Sequence, residues 1–227
     1  MLLLLIFGFT LIISLLASWN VKNTYRKYSR MRTRSGYSGA QVADRILSAA
    51  GIRDVDVIEH QSFLGDHYDP INKRLVLSSE NYHGDSPAAL GVAAHECGHA
   101  IQHKAAYGPL QWRMASVGVT NYANQVVTWL PLVGLFLGLF TPPTYFLIMA
   151  IGWGVIMAFN LITLPVEFDA SKRAAVILNK MNFIQTDEEN TAMRKVLGAA
   201  ALTYVAAFVT SLLYMLYYLL PLLLRRD

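Results

Sequence analysis

This sequence predicts a mainly α-helical membrane protein, with about four transmembrane helices and a small α+β portion that carries a short antiparallel sheet. Three observations predict it. Hydrophobic residues make up 54% of the 227-residue chain, and they are gathered in long runs instead of being spread over amphipathic segments. Between the first two runs lies a polar stretch with turn residues and short segments rich in Val and Leu. Inside that stretch, one helix-compatible segment is almost free of charge yet keeps two histidines and a glutamate. The net charge of +4 is modest and clustered beside the apolar runs, which points to membrane topology. No basic stripe with interleaved aromatics occurs on a soluble segment, which argues against nucleic acid as a partner. The single cysteine, Cys97, excludes an intramolecular disulfide framework.

The first element, residues 1–20, is a transmembrane anchor. Leu2 to Trp19 is almost unbroken apolar sequence, enough to cross about 30 Å of hydrocarbon as a helix. Residues 21–37 form a basic juxtamembrane segment with Lys22, Arg26, Lys27, Arg30, Arg32 and Arg34. Positive charge stays cytoplasmic, so the N-terminus is expected outside, and the same residues can touch anionic headgroups. A cleaved signal peptide is the alternative, but no Lys or Arg precedes the apolar run.

Residues 38–113 form the soluble portion. Ser38 can cap a helix whose Val42, Ile46 and Ala49 fall at helical spacing, and Gly51 can stop it. Val55, Val57 and Leu75 to Leu77 read as strands, and Asp69-Pro70-Ile71-Asn72 between them reads as a turn. The segment Arg74, Leu75, Val76, Leu77 and Ser78 is a candidate edge strand for pairing with an extended peptide, with a plain structural hairpin as the alternative. His60, His67 and His83 form no ligand pair and are expected on the surface or in hydrogen bonds. One of them, or a nearby tyrosine, is left as a candidate oxyanion donor.

Residues 114–166 are expected to form a transmembrane hairpin. Its spans are Val117 to Phe140 and Tyr145 to Leu164, joined at Thr141-Pro142-Pro143-Thr144. Pro165 is expected to disrupt the second of them. A cytoplasmic segment, 167–196, follows, and Thr186-Asp187-Glu188-Glu189 within it reads as a capping box. The last span, Leu197 to Leu224, lies in residues 197–227 and ends at Arg225 and Arg226. Lys104, Arg113, Lys172, Arg173, Lys180, Arg194 and Lys195 fall on the same side as the juxtamembrane cluster, so both polar segments are expected to face the cytoplasm.

The chemistry centres on His95-Glu96-Cys97-Gly98-His99. On a helix, the two histidines share a face about one turn apart, where both can hold a single Zn²⁺. Glu96 is rotated off that face and can reach water at the metal without being a ligand. Val92, Ala93, Cys97, Gly98, Ala100 and Ile101 mark the helix as buried, and buried histidines need partners. A core helix with satisfied histidines is the bland alternative. A catalytic zinc needs a third protein ligand. His103 would sit about 12 Å from His95 along a helix, too far to share the ion. The metzincin pattern is also absent, since Gln102 and Ala105 occupy its Gly and His places. Glu167 is the better candidate, with Asn160 and Thr163 on its helical face as possible hydrogen-bonding supports. An ordinary interfacial ion pair of Glu167 with Lys172 or Arg173 is the alternative.

AAHECGHAIQ, followed much later by LPVEFDAS, resembles the YugP-type neutral zinc metallopeptidases of bacterial membranes, distant relatives of the HtpX and CAAX-protease group. HYDP and LVLS fall within the same resemblance. It implies a zincin-like cytoplasmic portion, His95, His99 and Glu167 as ligands of one catalytic Zn²⁺, and Glu96 as the catalytic carboxylate. The wider group has an Asp four residues after its ligand Glu, where this chain has Ser171, with Asp169 two after the Glu instead. The expected function is zinc-dependent endopeptidase activity on protein or peptide substrates at the cytoplasmic face of the cell membrane. The competing reading is a non-enzymatic zinc-binding scaffold or adaptor for a membrane protein partner.

Overall fold

The apolar runs fold as helices that extend well past their hydrophobic limits. The computed structural model describes residues 1–61, 65–138 and 140–224. Arg225 and Arg226, expected to close the last span, lie outside those residues. Helix α1 covers Leu2–Tyr28, because nothing in the basic segment breaks it before the first turn residues after Tyr28. Its far end is buried, and the Tyr25 hydroxyl donates to Asn81 Oδ1 at 2.8 Å. Helix α2, Gly39–Ala49, starts at a Ser38–Gln41 capping box and stops at Gly51, whose φ of +67° suits glycine.

Three strands follow: β1 Asp56–His60, β2 His67–Asp69 and β3 Arg74–Ser78. The expected turn forms, with Asp69 Oδ1 accepting from the backbone N–H groups of Ile71 and Asn72. The sheet is mixed, however, in the order β1-β3-β2. β2 and β3 make the antiparallel hairpin, while β1 pairs with β3 in parallel, Asp56 opposite Arg74. The expectation that Arg74, Leu75, Val76, Leu77 and Ser78 form an edge is therefore overturned: β3 is the central strand, with both sides already paired. The reason is packing. Leu75 and Leu77 are fully buried under α2 and the motif helix, which fixes β3 inside.

Short α3, Ser79–His83, leads to α4, Pro87–Lys104, which carries the histidine motif. Ser86 caps α4 by accepting from Ala89 N–H. Three long helices complete the chain: α5 Gly108–Leu137, α6 Pro142–Lys180 and α7 Asp187–Leu223. Helices α1, α6 and α7 are long and apolar enough to cross a membrane. Helix α5, which holds the expected second span, falls outside that set; Thr120, Asn121, Asn124 and Gln125 dilute its apolar run.

One expected break is absent. Helix α6 continues straight through Pro165 to Lys180, so the span and the Glu167 segment are one element. A proline removes one N–H, and packing against α4, α5 and α7 outweighs that loss here. Helix α7 runs from the polar segment through the last span without interruption. Its capping box is only half formed. Thr186 Oγ1 accepts from Glu189 N–H, but the Glu189 carboxylate instead accepts from the backbone N–H groups of Arg34 and Gln185. Buried Glu189 thus ties the juxtamembrane segment to the start of α7.

The main core draws Val42 and Ile46 from α2, Leu75 and Leu77 from β3, and Leu90 and Cys97 from α4. It also needs Leu178 of α6 and Met193 and Leu197 of α7. Helix α4 meets α6 at Gly98. A Cβ there would lie 2.8 Å from the Ala170 carbonyl oxygen and 3.1 Å from its Cα. Only glycine opposite alanine allows this approach, and it sets how near Glu167 comes to the motif.

Candidate metal centre

His95 and His99 project one turn apart from the buried face of α4, and their rings meet edge to face with centroids 4.8 Å apart. Glu167 enters from α6, one helical turn from the Gly98–Ala170 crossing. Its Oε2 lies 3.3 Å from His95 Nε2 and 3.6 Å from His99 Nε2, and donor atoms of all three residues fall within 4.8 Å of one another. Zinc bonds of about 2.0–2.1 Å at tetrahedral angles place neighbouring ligand atoms about 3.3 Å apart. The donor set matches zinc in identity, and its two Glu167 edges lie near that spacing.

The surroundings fix which nitrogen each ring presents. Gln102 is completely buried, and its Nε2 donates to the Val166 carbonyl and to Asp169 Oδ2, each at 2.8 Å. That leaves its Oε1 as an acceptor, 3.0 Å from His99 Nδ1, so Nδ1 carries the proton and the Nε2 lone pair faces Glu167. Ser171 Oγ lies 3.1 Å from His95 Nδ1 and can orient that ring in the same way. Asp169 reaches the site only through Gln102, and it also accepts from Arg173 Nε. Asn160 does not belong to the site. It lies about two turns, roughly 10 Å, deeper along α6 and donates to Ala207 O and Ser211 Oγ of α7. Thr163 bonds back to Phe159 O of its own helix.

Glu167 is only 2% exposed, and a buried carboxylate needs charged partners. Its second oxygen accepts from Arg113 Nη1 at 2.8 Å. Arg113, not Lys172 or Arg173, is the cationic partner. A signal for it was present, since Arg113 is the one charged residue in the α5 sequence. On His99, burial opposes the protonated ring, but the hydrogen bond to Glu167 and the Glu96 and Glu167 charges outweigh it and raise the imidazole above its ordinary value. Cys97 points the other way, toward Ala43 O, and its complete burial pushes the thiol up.

Glu96, His95, His99 and Glu167 line one cavity of 260 Å³. Its other walls are His67 and Tyr68 of β2, Arg113 and Met114 of α5, and Tyr204 of α7. Tyr204, which faces both Glu167 and Glu96, had no sequence signal among the many apolar and aromatic residues of its span. His103 lies outside the donor set, with Nδ1 2.9 Å from the Tyr68 hydroxyl. His83 meets Glu59, and His67 meets the Gly65 carbonyl.

Comparison with known proteins agrees with this geometry. The family model described as "Putative neutral zinc metallopeptidase" matches residues 3–223. The chain belongs to this family. A curated relative from Bacillus subtilis (strain 168), described as "Putative membrane protease YugP", is 43% identical over 220 residues, 95% of this chain and 94% of the relative. No solved structure matches. The family match spans α1 through α7, so the long apolar helices and the motif helix fall within one family match.

Proposed function

We propose that this protein is a membrane-bound zinc endopeptidase that hydrolyses peptide bonds at the cytoplasmic face of the cell membrane. One observation carries the reading: donor atoms of His95, His99 and Glu167 converge within 4.8 Å of one another in a cavity that Glu96 also lines. Three protein donors beside an open cavity are the arrangement of a catalytic zinc, whereas structural zinc is closed by four.

Zinc, when bound, supplies Lewis acidity to the scissile carbonyl and acidifies the attacking water. Glu96 takes the proton from that water and returns it to the leaving amine. Gln102 and Ser171 hold the two imidazoles in the tautomer that leaves Nε2 free. Arg113 occupies Glu167 Oε1, which directs Oε2 to the metal. Tyr204 faces the same space and serves as donor to the developing oxyanion. Substrate binds along β2. Among the described residues β2 pairs with β3 alone, and His67 and Tyr68 line the cavity, so its other edge can accept an extended peptide.

The orientation follows the basic residues, which cluster at the polar ends of α1, α6 and α7. Helix α5, packed against α6 and separated from it by four residues of sequence, is the fourth crossing. Glu96→Gln should keep full zinc content and lose proteolysis of an unfolded protein substrate; cleavage at the wild-type rate would refute the mechanism. His99→Ala should instead lower the zinc content of the purified protein. A fourth protein ligand counted by X-ray absorption would favour the scaffold reading.

A further inference from the structure

Between α6 and α7, distinct from the cavity but sharing Ser171 with the surroundings of His95, lies a groove of 450 Å³ with a charge pattern of its own. Phe168 and Val176 of α6 and Leu202 and Val205 of α7 give it apolar walls. Three of these side chains face outward without cover, Phe168 at 48% exposure, Val176 at 54% and Leu202 at 51%. Lys172 and Arg194 stand at its polar end. The groove straddles a boundary that the sequence draws sharply. On α6, residues 142–166 carry no Lys, Arg, Asp or Glu, and charge begins at Glu167. On α7, charge ends at Lys195, and residues 196–224 carry none. The helices run antiparallel, so Leu202 and Val205 lie on the apolar side of the boundary and Lys172 and Arg194 on the charged side.

The geometry points to a site for an anionic phospholipid, its phosphate between Lys172 and Arg194 and an acyl chain along Phe168, Leu202 and Val205. Arg194 and Val205 are about 16 Å apart along α7, enough to span the headgroup layer and the outer hydrocarbon. Both cations extend from helices whose next turns are lipid-facing, the position from which basic side chains meet phosphates. Asp169 also faces Lys172, but its Oδ2 already accepts from Gln102 and Arg173. The inference rests on the membrane placement of α6 and α7 and is independent of peptidase activity.

The test uses the full chain purified in mild detergent and offered phosphatidylglycerol or phosphatidylcholine of identical acyl composition, with bound lipid counted by native mass spectrometry. Phosphatidylglycerol should be retained in preference. Removing both cations, Lys172→Gln with Arg194→Gln, should lower its retention about fivefold per charge, while Lys172→Arg with Arg194→Lys should preserve it. Gly198 also lines the groove, and a Cβ there meets nothing within 4 Å, so Gly198→Trp fills the groove without touching its charge. That variant should lose phosphatidylglycerol while keeping its zinc. Equal retention of the two lipids by the wild type, or undiminished phosphatidylglycerol on both the glutamine pair and Gly198→Trp, would overturn the assignment.

Discussion

Gly98→Ala should weaken zinc binding although residue 98 is not itself a metal ligand. The new Cβ would lie 2.8 Å from Ala170 O and 3.1 Å from Ala170 Cα, where ordinary contact begins at 3.4 Å. The obstacle is backbone, so no side chain can swing aside, and α6 must retreat by about 0.6 Å. Glu167 stands three residues before Ala170 on the same face and moves with it. The ligand edges, now 3.3 Å and 3.6 Å, would open further from the roughly 3.3 Å of a zinc tetrahedron. Overpacking of this kind costs about 1–3 kcal/mol. Divided between fold stability and the metal site, it predicts a lower Tm and about tenfold weaker zinc binding. Chelator competition on purified protein measures the affinity. Gly118→Ala is the control, since its Cβ meets nothing within 4 Å. Wild-type zinc affinity and Tm in Gly98→Ala would refute the claim that this crossing sets the site.

Gln102→Leu removes the acceptor that holds His99 Nδ1–H and leaves Val166 O without its donor, so zinc affinity should fall by about 10–100-fold, read by the same competition assay. Arg113→Gln leaves Glu167 buried without its cation, which costs about 3–5 kcal/mol when nothing else neutralises it. Zinc supplies that charge, so the variant should lose far more Tm after chelator treatment than when loaded; equal losses in both states would contradict this role for Arg113.

What could be read from the sequence was local. The His95–His99 spacing, the Ser38 cap, the Gly51 stop and the Asp69 turn each depend on a few neighbouring residues, and each forms as expected. What could not be read depends on distant partners. Parallel pairing of β1 with β3 leaves no mark in either strand, because it is decided by which face α2 and α4 cover. Pro165 reads as a helix end by its own chemistry, yet tertiary contacts on both sides keep α6 whole. In the sequence, Gln102 reads only as a departure from another motif. Its position three after His99 in a charge-poor helix was the clue that it faces the metal centre. Asn160 shows the converse, since a shared helical face seven residues away brings it to α7 and not to the ligands.

The continuity of α6 changes what the membrane helices do. With a break at Pro165, the third ligand would sit on a separate segment that could dock after the spans had inserted. On one rod, the position of Glu167 is instead fixed by everything that fixes α6: the Gly98–Ala170 crossing, the packing of α5 and α7, and the burial of Ala174 and Leu178 in the main core. The same core takes Met193 and Leu197 from α7, so residues 38–113 alone lack part of their own interior as well as one ligand. Zinc affinity therefore reports on assembly of the whole molecule. A metal bound by His95 and His99 would gain its third donor only when α6 is seated on α4, and that seating involves a helix long and apolar enough to cross a bilayer.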